Sequence, residues 1–203
     1  MRKRQQDGSG YVSRSAYKLE ELVAKHRILA RGSVVVDLGA APGGWCQAVR
    51  RAQPGVCLFA VDRLPLQVDV PGTTFLQGDF TEPAIQQQLA AHLQGEHAEP
   101  RCVDVVLSDM MANTSGNAVR DTQASLDLCE AAYGLCARML RPADASGGRP
   151  SAFVCKYYMS PEADEFRREV LERHFAKVRS EKLDASRARS REQYWVCLGF
   201  RED

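Results

Sequence analysis

Short runs of β-branched and aliphatic residues alternate along this chain with longer segments in which apolar residues recur every three or four positions. The short runs predict buried strands, and the longer segments predict amphipathic helices. Strands are predicted over residues 33–38, 57–61, 73–77, 102–107, 151–157, 176–183 and 193–200. Strands that alternate with helices indicate a mostly parallel sheet with helices on both faces. The last two strands have no helix between them, which predicts a hairpin and one antiparallel strand in a seven-stranded sheet.

Capping residues and composition mark where helices begin and where the packed domain starts. Ser13 or Ser15 can cap a first helix that runs towards Ile28, and Thr81 can cap a later helix with Pro83 in its first turn. Another helix is predicted to open at residue 160 and to run to about residue 175. Residues 1–12 are polar and basic and are interpreted as a flexible arm, and residues 13–203 as a single domain.

A glycine-rich loop follows the first predicted strand and precedes a helix. The strand ends in Asp37, and the loop and helix start then supply Gly39, Ala40, Pro42, Gly43, Gly44 and Trp45. The spacing Gly-x-x-x-Gly-Gly differs from the Gly-x-Gly-x-x-Gly of dinucleotide-binding loops. Small residues allow the backbone to approach a ligand closely. The pattern resembles the first motif of S-adenosylmethionine (SAM)-dependent methyltransferases, with an ordinary strand–turn–helix as the alternative.

Acidic residues follow four successive predicted strands. They are Asp37, Asp62, Asp79 and Asp109. Ligands of open α/β sheets bind beyond the carboxyl ends of the strands, so these acids predict a ligand site at one edge. Asp62 can accept both hydroxyls of an adenosine ribose, and Asp79 with Phe80 can hold the amine and the face of adenine. The wall around the methionine portion is predicted to be formed by Gly39, Gly43 and Trp45.

A lysine ends the fifth predicted strand, which is otherwise apolar. Lys156 follows the run 152–155, and a lysine is rarely buried without a partner. Burial and nearby cations lower the pKa of an amine, which lets such a group act as a base near neutral pH. The alternative is a lysine that reaches from the strand end into solvent.

Six segments, in order over nearly the whole chain, carry a specific combination of motifs. They are residues 13–19, 37–45, 77–80, 107–110, 153–156 and 186–192. Together they resemble the FtsJ/RrmJ family of ribosomal RNA 2′-O-methyltransferases. The resemblance implies a Rossmann-like SAM-dependent methyltransferase fold. The family's Lys–Asp–Lys–Glu tetrad falls on Lys18, Asp109, Lys156 and Glu192.

The resemblance also implies the reaction and its partners. SAM would donate a methyl group to the 2′-hydroxyl of a uridine in large-subunit ribosomal RNA, leaving S-adenosyl-L-homocysteine. The substrate would be RNA within a large subunit or its precursor, and the protein a monomer without membrane attachment or a metal. Lys156 would take or stabilise the hydroxyl proton, Asp109 would orient it, and Lys18 and Glu192 would position the ribose. The cofactor-binding set would be Asp37, Gly39, Ala40, Pro42, Gly43, Gly44, Trp45, Asp62, Asp79, Phe80 and Asp109.

Positive charge is concentrated at two places although the total is balanced. The 27 Lys and Arg residues almost cancel the 26 Asp and Glu residues, and the net charge is +1. One basic group lies close in sequence to Lys18 and the other close to Glu192, which predicts a phosphate-binding groove around the site, with a solvated surface as the alternative. The predicted RNA-binding residues are Arg2, Lys3, Arg4, Arg14, Arg187, Arg189 and Arg191.

The cysteines and the apolar runs bear on the compartment. The 7 cysteines include no Cys-x-x-Cys pair, which favours a reducing compartment without structural zinc. No apolar run reaches the length of a membrane span, and no secretory signal is visible. Residues 110–117 look more like fungal mitochondrial relatives than bacterial ones. A mitochondrial matrix location is therefore favoured, although no complete transit peptide is visible, and the bacterial cytoplasm is the alternative.

Three other functions fit parts of the pattern. A tRNA or mRNA-cap 2′-O-methyltransferase would share the tetrad. A non-catalytic SAM-binding assembly factor would share the fold but would not need Lys156. A nicotinamide-dependent dehydrogenase is disfavoured by the glycine spacing.

Overall fold

Seven strands form one sheet with helices on both faces. The structure, a computed structural model, describes residues 10–96, 101–112, 115–185 and 191–202. The strands are β1 (Val34–Leu38), β2 (Cys57–Asp62), β3 (Thr73–Gln77), β4 (Val105–Ser108), β5 (Ala152–Tyr158), β6 (Phe175–Glu181) and β7 (Glu192–Phe200). The helices are α1 (Ala16–His26), α2 (Gly44–Ala52), α3 (Pro83–Glu96), α4 (Ala118–Met139), α5 (Pro161–Phe166) and α6 (Glu172–His174). A π-helical segment, Arg167–Leu171, joins the last two helices.

The strand order places the first and fourth strands side by side at the centre. The order is β3-β2-β1-β4-β5-β7-β6, in which β7 runs antiparallel to both β5 and β6 and all other neighbours are parallel. The predicted fold class and the predicted hairpin are therefore confirmed. The order reverses between β1 and β4, and such a switch point is where open α/β sheets bind ligands.

Successive strand residues point to opposite faces of the sheet, and their side chains form two apolar layers, one on each face. On one face α1 and α2 pack through side chains that include Leu19 and Val49. On the other face α3 and α4 cover a layer that includes Phe59, Phe153 and Trp195. Because both faces are covered, the inner strands are apolar on both sides, which explains the continuous apolar runs of β1 and β4.

A buried charge cluster closes the amino-terminal edge of the sheet. Asp104 is fully buried, and its carboxylate lies 3.1 Å from the Arg141 guanidinium and 3.5 Å from that of Arg149. The backbone N–H of Val34 donates to the same carboxylate at 2.9 Å. Asp104 thus joins the start of β1 to both ends of the connection between α4 and β5, at the edge opposite the candidate site.

Some predicted element boundaries differ from the structure. Ser15 precedes α1 in helical conformation and makes no capping bond, because its hydroxyl is paired with that of Ser13. The Thr81 hydroxyl donates to Asp79 instead of capping α3, which begins at Pro83. The helix predicted to run to residue 175 is interrupted by the π-helical segment, and it ends at residue 174, where β6 begins.

The packed region begins before residue 13. Tyr11 is buried and belongs to the apolar layer with α1 and α2, and the backbone N–H of Val12 donates to the Gln47 side chain at 2.8 Å. Both residues fall within the segment predicted as an arm. Residues 1–9 lie outside the described residues. In the described part of the chain, none of the helices has the length and apolar character needed to cross a membrane.

Candidate active site

The acids predicted at the strand ends lie along the carboxyl edge of β3, β2, β1 and β4, which are adjacent in the sheet. Asp37 is completely buried, and desolvation raises its pKa to about 7. The Cys46 thiol lowers this pKa by donating a hydrogen bond, whereas the carboxylates of Asp109 and Asp62 raise it further. The mutual influence of the three acids shows that they share one electrostatic environment.

The loop after β1 is held close to its neighbours because it carries glycine. Gly39 has a φ of +76°, and a Cβ at this position would clash with the Met110 side chain. Gly44 begins α2, and a Cβ there would clash with Ser13. Larger residues would therefore push the loop away from the segments before α1 and after β4, both of which line the site.

Asp62 and Asp79 are held in place by local hydrogen bonds. Asp62 accepts from the backbone N–H of Ala41 at 2.8 Å and from that of Leu64 at 2.7 Å. Asp79 accepts from the hydroxyl and the backbone N–H of Thr81, and these bonds hold the pKa of Asp79 below its usual range. Both carboxylates are therefore fixed acceptors at the ends of β2 and β3.

Two aromatic residues that are predicted to contact the cofactor are buried in the hydrophobic core. Phe80 is 6% exposed and packs in the layer beneath α3. Trp45 is 2% exposed, its indole N–H donates to the Ser15 carbonyl at 2.9 Å, and its ring lies 5.9 Å from that of Tyr194. These side chains support the walls of the site, and their predicted contact with a cofactor stays a prediction.

The carboxyl edge offers groups that suit a cationic, hydroxyl-bearing methyl donor. Asp37 Oδ1 is buried and has no hydrogen-bond partner among the described residues, so it is an unsatisfied acceptor at this edge of the sheet. Asp62 retains unused lone pairs beside the loop. The residues present therefore fit such a group.

A lysine–aspartate pair lies at the ends of β4 and β5. Lys156 is 8% exposed, and its ammonium donates to the backbone carbonyl of Asp109 at 2.5 Å and lies 3.1 Å from the Asp109 carboxylate. The expected pairing of these two residues is therefore present in the structure. An ammonium has three N–H groups, so a third remains available to an incoming hydroxyl.

Tyr194 joins this pair to the second pair of the predicted tetrad. Lys18 forms an ion pair with Glu192, and its ammonium lies 5.6 Å from the centre of the Tyr194 ring. The Tyr194 hydroxyl donates to Asp109 at 2.6 Å. Burial and the nearby Asp109 carboxylate raise the pKa of Tyr194, which keeps this donor protonated. The four predicted side chains are therefore linked through one tyrosine.

Sequence reasoning missed Tyr194, although a signal was present. Residues two apart in a strand face the same side of the sheet, so Tyr194 shares the face of Glu192. Tyr194 also lies directly opposite Lys156 in the antiparallel pairing. That second relation depends on the register of β5 and β7, which the sequence pattern does not specify.

Helix α1 holds the connection between β6 and β7 at several points. Glu21 accepts from the backbone N–H of Asp184 at 3.1 Å. Glu181 accepts from the side chain of Lys25 at 2.5 Å and lies 2.9 Å from that of His26. Together with the Lys18–Glu192 pair, these contacts fix α1 against both ends of the connection, which positions two members of the tetrad.

The predicted RNA-binding residues are only partly described. Arg14 is exposed just before α1, and Arg191 is exposed and donates to the Met159 carbonyl at 2.9 Å. Both therefore lie beside members of the tetrad. The other five lie outside the described residues, namely Arg2, Lys3, Arg4, Arg187 and Arg189.

Replacement of Asp37 by asparagine is expected to remove a pH dependence of stability. The folded pKa of about 7 lies above the usual value of 3.8, so the folded state holds the proton more tightly. Wild-type stability should therefore fall as pH rises from about 4 to 7, by on the order of a few kcal/mol, and Asp37→Asn should lack this loss. Urea unfolding at pH 5 and pH 8 measures the difference, with the exposed Asp69→Asn as a control. Equal pH dependence in the wild type and Asp37→Asn would contradict the assignment.

The fold and the site together define the class of protein. The sheet reverses its strand order at the centre, the loop after β1 has the glycine spacing of methyltransferases, and two lysines and two acids are linked at the same edge. These features together are typical of a Rossmann-like methyltransferase. The FtsJ-like methyltransferase family model matches residues 11–200, and the chain belongs to this family.

Relatives of known name cover almost the whole chain. The ribosomal RNA large subunit methyltransferase E of Alkalilimnicola ehrlichii is 44% identical over 193 residues, which cover 95% of this chain and 86% of that protein. The protein of the same name from Pseudomonas fluorescens is 42% identical with the same coverage. A solved Plasmodium falciparum chain described as a ribosomal RNA methyltransferase has a TM-score of 0.79, covers 94% of this chain and 98% of its own length, and is 23% identical. This last likeness concerns the fold alone.

Proposed function

We propose that this protein transfers a methyl group from SAM to the ribose 2′-hydroxyl of a uridine in large-subunit ribosomal RNA. The observation that carries the proposal is the Lys156–Asp109 pair, with an ammonium 3.1 Å from a carboxylate at the ligand-binding edge of the sheet. Relatives that are 42–44% identical are named ribosomal RNA large subunit methyltransferase E, which supports the substrate.

The residues of the chain would align the acceptor and handle its proton. SAM supplies an electrophilic methyl group on a sulfonium centre. Lys156 would contact the 2′-oxygen. As the neutral amine it would take the hydroxyl proton, and as the ammonium it would donate a hydrogen bond to the developing negative charge while the proton passes to water. Asp109 and Tyr194 would fix the position of Lys156, and the Lys18–Glu192 pair would hold the ribose so that oxygen and methyl carbon approach in line.

The cofactor-binding half of the proposal rests on the carboxyl edge. Asp62 would accept the ribose hydroxyls of SAM and Asp79 its adenine amine, while the buried, unsatisfied Oδ1 of Asp37 would lie on the loop side of the site. A bound cation near Asp37 would lower the pKa of that carboxyl group. Binding of SAM would therefore release a proton near pH 7.

The experiment that tests the proposal is methyl transfer to defined RNA. The protein is incubated with radiolabelled SAM and either large-subunit particles that lack ribose methylation or the naked RNA extracted from them. Label confined to one uridine ribose, mapped by methylation-sensitive sequencing, is expected, and particles that already carry the modification serve as the control. SAM binding without label on either substrate would contradict it and favour a tRNA or cap substrate, or a non-catalytic assembly factor.

The oligomeric state, the state of the substrate and the location of the protein are also part of the proposal. A monomeric state and a large-subunit precursor as substrate are inferred from the small single domain and the family resemblance. The mitochondrial matrix stays the predicted location and the bacterial cytoplasm its alternative, and the relatives named above are bacterial.

A further inference from the structure

Large apolar side chains are exposed beside the candidate active site. In the described part of the chain, Met111, Val119 and Met159 are 51%, 80% and 49% exposed, and the fourth large exposed apolar side chain is Leu64. Met111 follows β4, Val119 lies in the first turn of α4, and Met159 follows β5. All three therefore lie at the carboxyl edge, on the side of the tetrad away from the glycine loop.

An aromatic side chain lies between these residues and the tetrad. Tyr158 is only partly buried, and its hydroxyl contacts the Met111 sulfur at 2.7 Å. It lies two residues beyond Lys156 on β5, about 7 Å along the strand, and opposite Glu192 of β7. Burial and the carboxylates of Glu192 and Asp121 raise the pKa of Tyr158, whereas Lys18 lowers it.

Two adjoining cavities are lined by residues of the segment that directly follows this tyrosine. One of about 590 Å³ is lined by Met159, Ser160, Pro161, Asp164, Arg168 and Arg191. The other, of about 250 Å³, shares Ser160, Pro161 and Arg191 with the first and is lined on its far side by Val119 and Leu126 of α4. Arg191 lines both cavities and directly precedes Glu192 in sequence, so both cavities lie next to this member of the tetrad.

The lining suits a nucleobase better than a bare phosphate chain. Single-stranded bases are bound by stacking on aromatic and apolar side chains and on arginine guanidinium groups. The cavities supply the apolar side chains and the guanidinium groups, and Tyr158, which directly precedes Met159 in the chain, supplies an aromatic ring. The two arginines are balanced by Asp164 and Glu162, so the lining is close to neutral and offers apolar surface as well as charge. Arg191 can still reach a phosphate next to such a base.

We propose that Tyr158, Val119, Met159 and Arg191 form a nucleotide subsite that receives an unstacked base next to the target ribose. The inference deepens the proposed function and rests on it. The base would stack on the Tyr158 ring and the apolar side chains, and its phosphate would contact Arg191. Holding a neighbouring nucleotide in this way fixes the acceptor ribose against Lys156, so the subsite contributes to the choice of RNA.

The test compares two substitutions of the same tyrosine. Tyr158→Ala removes the ring, whereas Tyr158→Phe keeps the ring and removes only the hydroxyl contact with Met111. With an RNA fragment as acceptor, Tyr158→Ala is expected to raise KM for RNA roughly tenfold, because base–aromatic stacking contributes at that level. Tyr158→Phe should stay near the wild type, and the Kd for SAM should be unchanged in both variants.

A second pair of variants tests the apolar side of the subsite. Val119→Glu places a negative charge in the cavity, and since an acid in the first turn of α4 favours the helix, the variant should fold. Gln94→Glu adds the same charge at an exposed position near the far end of α3 and is the control. We expect a KM increase for RNA of about tenfold or more with Val119→Glu only.

A fluorescent base reports on stacking directly. RNA fragments with 2-aminopurine at single positions around the target uridine should show quenching on binding at one neighbouring position, and Tyr158→Ala should abolish this quenching. Wild-type KM in Tyr158→Ala, or equal losses in Tyr158→Ala and Tyr158→Phe, would overturn the subsite. So would effects seen only with whole particles and not with free RNA, because the occupant would then be a protein. Absence of methyl transfer by the wild type on both free RNA and large-subunit particles would instead overturn the proposed function.

Discussion

Replacement of Lys156 by alanine is expected to abolish methyl transfer and to leave SAM binding intact. The ammonium is nearly buried, is held by the carbonyl and the carboxylate of Asp109, and retains one N–H for the acceptor hydroxyl. Loss of a positioned acid–base group typically lowers turnover by on the order of 10²–10⁴-fold. The acids at the ends of β1, β2 and β3 are untouched, so the Kd for SAM by calorimetry should change less than about twofold.

Two controls separate chemistry from folding in this prediction. Lys177→Ala removes an exposed lysine of β6 and should keep full activity. Lys156→Arg keeps the charge but not the compact ammonium geometry, and it should not restore turnover. If Lys156→Ala bound SAM as weakly as it methylated RNA, the lysine would belong to the cofactor site and the assignment would be wrong.

The largest loss of stability is expected from Asp104→Ala. The substitution leaves the Arg141 guanidinium, which is 7% exposed, without its buried carboxylate and removes the acceptor of the Val34 N–H. Removal of one partner of a buried ion pair typically costs about 3–5 kcal/mol. We therefore expect a marked fall in the urea midpoint, because Asp104 fixes the amino-terminal ends of β1 and β4.

A matched surface change and a compensating change complete this experiment. Asp144→Ala removes an exposed carboxylate near the same edge and should alter the free energy of unfolding little. The double variant Asp104→Ala with Arg141→Met should recover part of the lost stability, since the uncompensated charge is then gone. A loss below about 1 kcal/mol for Asp104→Ala alone would contradict the prediction and would show that water solvates the Arg141 guanidinium in place of the carboxylate.

Local pattern was sufficient for the elements, whereas the residues of the tetrad were assigned by the family resemblance. Alternation of apolar runs with amphipathic segments predicted all seven strands, and the absence of a helix before β7 predicted its antiparallel direction. Helix boundaries were predicted less well, because the hydroxyls of Ser15 and Thr81 form hydrogen bonds with neighbouring side chains instead of capping helix N-termini. Which hydroxyl makes which bond depends on the side chains around it, and a capping preference does not contain that information.

The roles of the aromatic residues required the structure. Trp45 and Phe80, which lie next to binding motifs, are buried in the two apolar layers, and their predicted contact with the cofactor stays a prediction. Conversely Tyr194, which drew no attention in the sequence, donates to Asp109 and lies beneath Lys18. Aromatic side chains carry large apolar area, so packing competes with function for each of them.

Apart from the tetrad, which the family resemblance assigned, what the sequence determined by itself is the class of fold and the position of the acids at the strand ends. Those features follow from residue type and order, which set periodicity and place strand ends at one edge. What only the tertiary structure decided is how residues far apart in sequence combine. The register of β5 against β7 brings Tyr194 opposite Lys156, and α1 brings Lys18 to Glu192, 174 positions away. Such contacts arise from the packing of whole elements against each other, and no local window of sequence contains them.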